Sequence, residues 1–442
     1  MKNLSCSLAL VLAAACGGDG GLTGDDMPTP DAAPDAPPGS MVINVPAGDL
    51  TGPITWEARN TYILQGYVFI TGGKLTIEAG TVIKGENGSA LTITKDATLD
   101  AQGTAAKPIV FTSNKTPAAP GDWGGLVMLG KAPINVVGGT NAVEGFPTSF
   151  GDKIVYGGTA PAHDCGKLKY ARIEYAGFLL SPDNELNGLT VGGCGSSTLI
   201  DYVQVHLGQD DGVEMFGGSA NLSHIVITQP DDDALDWDRG WTGKAQFIVI
   251  QQRTGRGDKG IEADNNNNDN ELLPRSAPEI WNMTMVGANG AVTDPQGGIH
   301  VRRGTAGKIN NSIVMGFTKF AADIDGASSV NQFTGANLTL KNVYFVKGTN
   351  ALSNWPANFD GAGAGNDGGF DEAAQIGGDA TNRIDVNPML GAPFNTTAPD
   401  WKPAAGSPVL TGCATPPAGL DTTATYCGAI GATDWTTGWT KY

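Results

Sequence analysis

Apolar and acidic residues alternate in three short stretches of this chain, and the stretches align with one another. They read DDGVEMF from Asp210 to Phe216, DDALDWD from Asp232 to Asp238 and DKGIEAD from Asp258 to Asp264. Such alternation marks a strand with one buried and one exposed face. Asp211 and Asp233 lie 22 residues apart, and Asp233 and Lys259 lie 26 apart. A recurring step of this size marks a solenoid whose coils stack on one another. Val213, Leu235 and Ile261 are therefore expected inside, together with Trp237. Glu214, Asp236 and Glu262 are expected to form an outward column of carboxylates.

A second series repeats the alternation at Tyr170 to Glu174, Tyr202 to His206, His224 to Thr228 and Gln246 to Ile250. It predicts one interior stack of Ala171, Val203, Ile225 and Phe247, and another of Ile173, Val205, Ile227 and Val249. Later strands are expected at Ile280 to Val286, Gly298 to Arg303, Ile309 to Met315 and Leu338 to Val346. No long segment shows a helical period. The Asn-rich run from Asn265 to Asn270 should bulge as a loop beside the third acidic coil. Residues Asn354 to Asp385 read as a long excursion. The closing segment, with Trp435 and Trp439, is expected to cover the last coil, which a solenoid cannot leave bare.

Three phrases carry a family likeness: LTIEAGTVIKG from Leu75 to Gly85, GTAAKPIVFTS from Gly103 to Ser113, and GDWGGL from Gly121 to Leu126. They resemble the opening coils of right-handed parallel β-helices of the pectate-lyase-like superfold, as found in exported bacterial surface proteins. The resemblance implies an all-β chain, with a single-stranded right-handed parallel β-helix over residues 41–350. An irregular excursion and a capping segment would follow over 351–442. It implies little about activity, because one fold hosts many functions.

Composition narrows the partners. With 442 residues the chain could hold two or three domains, or one elongated solenoid. Its 64 Gly and 26 Pro suit many tight turns. A formal charge of −18 excludes a nucleic-acid partner, whose phosphates need a basic footprint. It favours cations, or neutral or cationic partners.

At the N-terminus Lys2 precedes the apolar run Leu8 to Leu12, and Ala13-Ala14-Ala15-Cys16 follows. This resembles a bacterial lipobox, so residues 1–15 are expected to be a signal peptide and Cys16 the lipidated residue. The apolar run is too short to span a bilayer. Gly17 after the cysteine implies an outer-membrane lipoprotein, on the periplasmic face or the cell surface. Residues 16–40, rich in Pro, Gly and Asp, are expected to be a disordered tether. Cys165, Cys194, Cys413 and Cys427 remain, and four cysteines allow three connectivities. Local pairing, Cys165–Cys194 and Cys413–Cys427, needs the least rearrangement.

The acidic stretches are the candidate for chemistry. Coils stack about 4.8 Å apart, so Glu214 and Asp236 would approach the ~5 Å of retaining glycosidases. Glu214 and Glu262 would stand near ~10 Å, at the edge of the inverting range. Crowded carboxylates need protons or a cation in compensation. Calcium suits the oxygen ligands of Asp210, Asp211, Asp232, Asp233 and Asp258 at the turns. A ligand-binding face would then comprise Glu214, Asp236, Asp238, Glu262 and Asp264, with Trp241 in the next turn as a platform for a sugar ring.

His300 extends the Glu214 column, and Arg302 extends the column of Asp238 and Asp264. Glu214, Asp236, Glu262, His300 and Arg302 are thus the catalytic candidates if the face is an enzyme's. The polygalacturonase-type enzymes of this superfold combine Asn-x-Asp, Asp-Asp, His-Gly and Arg-x-Lys motifs. Here only the Asp pairs carry over: Asn-x-Asp falls at Asn267 to Asp269 and Asn358 to Asp360, downstream of those pairs, and the other two motifs are absent. Turn aspartates also satisfy backbone N–H groups without further function. The expected role is that of a lipid-anchored, monomeric surface protein that binds an extracellular polysaccharide, or another surface, through an acidic calcium-suited face. A polysaccharide lyase or glycosidase is the alternative, and a ligand-free structural stalk the second.

Overall fold

Each coil is built from one short strand and one long, bent strand. The computed structural model describes residues 39–181, 184–290, 296–356 and 367–442. The expected signal peptide, Cys16, the expected tether up to residue 38 and the motif at Asn358 to Asp360 lie outside the described residues. The short strands include Leu189–Gly192, Val213–Phe216, Leu235–Asp238, Lys259–Ala263, Gly297–Val301 and Phe320–Ile324. The long ones include Gly166–Glu174, Leu199–His206, Asn221–Thr228, Lys244–Gln251, Glu279–Val286, Gly307–Met315 and Leu338–Val346. Each of these strands pairs in parallel with its counterpart one coil away, within one 22-stranded sheet. This is the right-handed parallel β-helix that the family resemblance implies, with its coils stacked at the step that the periodicity predicts.

The interior stacks follow the alternation. Val213, Leu235, Ile261 and Ile299 share one register column, and Met215, Trp237, Ala263 and Val301 the next. All are buried in one continuous core. The Trp237 indole N–H reaches the Thr305 hydroxyl at 3.1 Å, which satisfies its one polar group.

Both stacks of the second series are displaced by a residue at their last member. Ala171, Val203 and Ile225 continue to Ile248, and Ile173, Val205 and Ile227 continue to Ile250. Tyr202 to His224 is 22 residues and His224 to Phe247 is 23, so one extra residue shifts the register. Phe247 therefore turns the corner, and Val249 joins Val226 on the outer side.

The end of the chain also departs from expectation. Parallel pairing continues beyond residue 350 to Arg383–Ile384, which pairs with Tyr344 and Phe345. The last coil is covered by Ala327–Thr334, a helix, and by Phe370 and Ile376 from the excursion. Phe333 meets Phe370 edge-on, with ring centroids 5.1 Å apart. The closing segment instead lies along the side of the helix. Trp401, Ile430 and Trp439 pack there on Val226, Val249, Val286 and Ile313. Its far end returns to the early coils, where Lys441 pairs with Glu174 at 2.9 Å. Both disulfides form as expected, Cys165–Cys194 and Cys413–Cys427.

Candidate functional site

The outward positions of the short strands fall into rows. Thr190, Glu214, Asp236, Glu262, His300 and Asp323 occupy one row on successive coils. In the turns just before, the Asp211 and Asp233 carboxylates each accept a backbone N–H from the next coil, of Asp233 at 3.0 Å and of Lys259 at 2.6 Å. The turn-satisfying role is therefore real for these two side chains. It uses only part of each carboxylate.

Four overlapping triads bring carboxylate oxygens within 4.8 Å of one another: Asp210–Asp211–Asp232, Asp211–Glu214–Asp236, Asp232–Asp233–Asp258 and Asp233–Asp236–Glu262. All five expected metal-ligating aspartates are in these triads, with Glu214, Asp236 and Glu262 beside them. The column does not stand on an open face. Glu214 is only 6% exposed and Asp211 7% exposed. The crevice opens at Asp232 and at Glu144, both exposed.

Positive charge divides this cluster into two halves. Lys259 Nζ lies 2.7 Å from Glu262, 2.5 Å from Asp258 and 3.9 Å from Asp233. Arg302 pairs with both Glu262 and Asp264, and Arg303 also reaches Asp264. Among the described residues no Lys, Arg or His lies within ion-pair distance of Asp210, Asp211, Glu214 or Asp236. Glu214 accepts a hydrogen bond from the Asn187 amide, and the Glu144 carboxyl lies close to it. Asp236 Oδ1 is shut off from solvent and meets no donor.

The consequence is a group of acids that hold their protons. Desolvation, reinforced by neighbouring carboxylates, lifts Asp211, Glu214 and Asp236 well above the usual carboxylate range. The same causes push Asp210 up to about 8. Glu144 rises to about 7 through desolvation, partly offset by Arg239, with Glu185 and Asp238 adding repulsion. Burial raises Asp238 to about 6 although Arg239 stands 3.3 Å away.

Residues 48–401 match the model of the pectate-lyase-like β-helix domain. The chain belongs to that family. Comparison with curated proteins and with solved structures found no match.

Within this pectate-lyase-like β-helix several expected roles change. Trp241 is wholly buried, packs at a tilt against Trp237 and donates its indole N–H to the Ala220 carbonyl, so it offers no face to a sugar. Its position after a turn suggested exposure, but the turn folds back into the core. Glu262 and Asp264 are engaged by Lys259, Arg302 and Arg303. His300 follows Glu262 in register as expected, with Nε2 3.6 Å from Asp325 and Nδ1 buried without a partner. Two neighbours of Glu214 escaped the sequence reading. Glu144 sits in an excursion without period, so no signal marked it. Asn187 had one, since Asn187-Gly188-Leu189-Thr190 parallels Asp211-Gly212-Val213-Glu214 one coil on.

Proposed function

We propose that this β-helix takes up a calcium ion between Asp210, Asp211, Glu214 and Asp236, and binds an extracellular polysaccharide through the loaded crevice. The observation that carries this reading is the split in the acidic cluster. Lys259 and Arg302 serve one half, while the other half has neither cation nor donor for Asp236 Oδ1. Asp211, Glu214 and Asp236 lie within 4.8 Å of one another, and Asp210 joins them through Asp211, which favours either bound protons or an oxygen-seeking cation. Calcium accepts six to eight oxygen ligands at about 2.3–2.6 Å, which suits carboxylates drawn inward from two coils. The ion keeps open positions for sugar hydroxyls or uronate oxygens at the exposed rim. The protein is read as a monomeric outer-membrane lipoprotein, held through Cys16 and displaying this crevice to the glycan.

One observation favours a second reading, cleavage of the same glycan. The Glu144 carboxyl lies close to Glu214, and a carboxyl held up to about 7, chiefly by desolvation, is suited to donate a proton near neutral pH. Incubation with acidic polysaccharides, with and without calcium, separates the two. Release of reducing ends or unsaturated uronides supports cleavage, and calcium-dependent retention without release supports binding. Absence of both leaves a structural stalk.

A further inference from the structure

The geometry points to a second ligand site, a pocket for a neutral pyranose sugar where the closing segment stands off the side of the helix. It rests on observations separate from the acidic crevice. The long strands bend at one left-handed residue per coil. In the later coils that residue is Asn282, Asn311 and Asn342, with φ of 52°, 50° and 55°. Asn adopts this conformation at little cost. The Asn282 amide donates to the Ala424 and Tyr426 carbonyls, and the Asn311 amide to that of Ala414, so the closing segment is clamped down.

At the matching position of earlier coils stand Tyr202, His224 and Phe247, with φ of 55°, 51° and 62°. Bulky residues are strained there, and the strain is retained only with compensation. Part of that compensation is stacking, with centroids 4.1 Å apart for Tyr202–His224 and 4.8 Å for His224–Phe247. The rest is edge-on packing by the closing segment, with Trp435 5.0 Å from His224 and Trp439 6.0 Å from Tyr202. Beside these contacts a cavity of about 520 Å³ opens, lined by the three rings, Asp421 and Trp435, with Lys244 alongside.

The lining selects the ligand. The half-buried Trp435 and the edges of the stacked rings stand among hydroxyl, amide, ammonium and carboxylate groups, which suits a sugar's apolar C–H groups and its rim of hydroxyls. A purely apolar ligand would strip water from Asp421 and Lys244 without replacing it. Charge excludes a uronate as the preferred ligand: Lys244 Nζ already lies 3.4 Å from Glu279 and donates to the Ala418 carbonyl, while Asp421 remains ionised, held low by Thr423. His224 Nδ1 faces Asp201, and its Nε2 makes no hydrogen bond among the described residues. The wall is fixed in place by paired hydrogen bonds between Gln246 and the Asp421 backbone.

Calorimetric titration with methyl glucoside, methyl galactoside and methyl mannoside, with sodium galacturonate as the charged comparator, tests this site. At least one neutral glycoside should bind, and should bind better than galacturonate, with or without EDTA. Phe247→Asn installs the residue that later coils use at the same corner, so the fold should persist, as circular dichroism would verify. That variant, and independently Asp421→Asn, should weaken binding by about tenfold or more. No binding by any neutral glycoside, preference for galacturonate, or undiminished binding in both variants would overturn the proposal. Loss of binding in EDTA alone would assign the sugar to the acidic crevice instead, and would equally overturn it.

Discussion

Asp236 concentrates the tension of the acidic crevice in one side chain: a buried oxygen without a donor, set in register between Glu214 and Glu262. Replacing its carboxyl by an amide removes the cost, at pH 7, of keeping protonated a group whose ionised form burial and four neighbouring carboxylates oppose. Asp236→Asn should therefore raise the melting temperature of the calcium-free protein at pH 7, while most buried polar substitutions lower it. Glu262→Gln should do the opposite, because it leaves Lys259 and Arg302 short of a partner. A calcium-free Asp236→Asn protein less stable than wild type would contradict this reading of the residue.

The same crowding fixes a pH dependence. Carboxyls with raised folded-state pKa bind protons at pH values where the unfolded chain has lost them, so stability falls as pH rises. The window runs from the unfolded value near about 4 up to the folded values of about 7 for Glu144 and about 8 for Asp210. Melting curves in EDTA should shift to higher temperature as the pH is lowered from 8 toward 5. With calcium present at pH 8 the slope should flatten, since the ion then occupies the place of the protons. Equal slopes with and without calcium would argue against an ion at these groups.

At the scale of elements, the periodicity of the acidic stretches was legible because each coil repeats both register and polarity. Val213, Leu235 and Ile261 fall inside, and Glu214, Asp236 and Glu262 share a row, as alternation requires. What alternation cannot reveal is what covers an outward face. Glu144 arrives from an excursion, and burial of Glu214 depends on it and on Asn187. Nor does alternation reveal a single added residue, which moved Phe247 from the interior to a corner. The closing segment was legible as a cover and mistaken in place, since its tryptophans pack on side-facing valines that read as ordinary strand residues. The Cys413–Cys427 bridge holds a loop of this segment. Its removal by a Cys413→Ser, Cys427→Ser pair should cost about 3 kcal/mol by the loop-entropy estimate. Denaturant unfolding would measure it, and an unchanged midpoint would show that the side packing alone suffices.

On the scale of the whole molecule, the family match over residues 48–401 establishes the scaffold and leaves the chemistry to the crevice. Anchoring belongs to this scale as well. A Cys16→Ser protein should move to the soluble fraction and a Cys6→Ser protein should stay with membranes. Retention of both would remove the lipid anchor from the account. With a charge of −18, the molecule repels other anionic surfaces unless cations bridge the gap, so calcium would serve both fold and ligand. Calcium at 100 times its dissociation constant should add about 2.7 kcal/mol of stability. The decisive measurement is a calorimetric titration of EDTA-stripped protein with calcium at pH 7, run on wild type and Asp236→Asn. The account predicts saturable binding by wild type, release of protons on binding, and loss of the signal in Asp236→Asn. A flat wild-type titration, or binding that Asp236→Asn leaves unchanged, would contradict it.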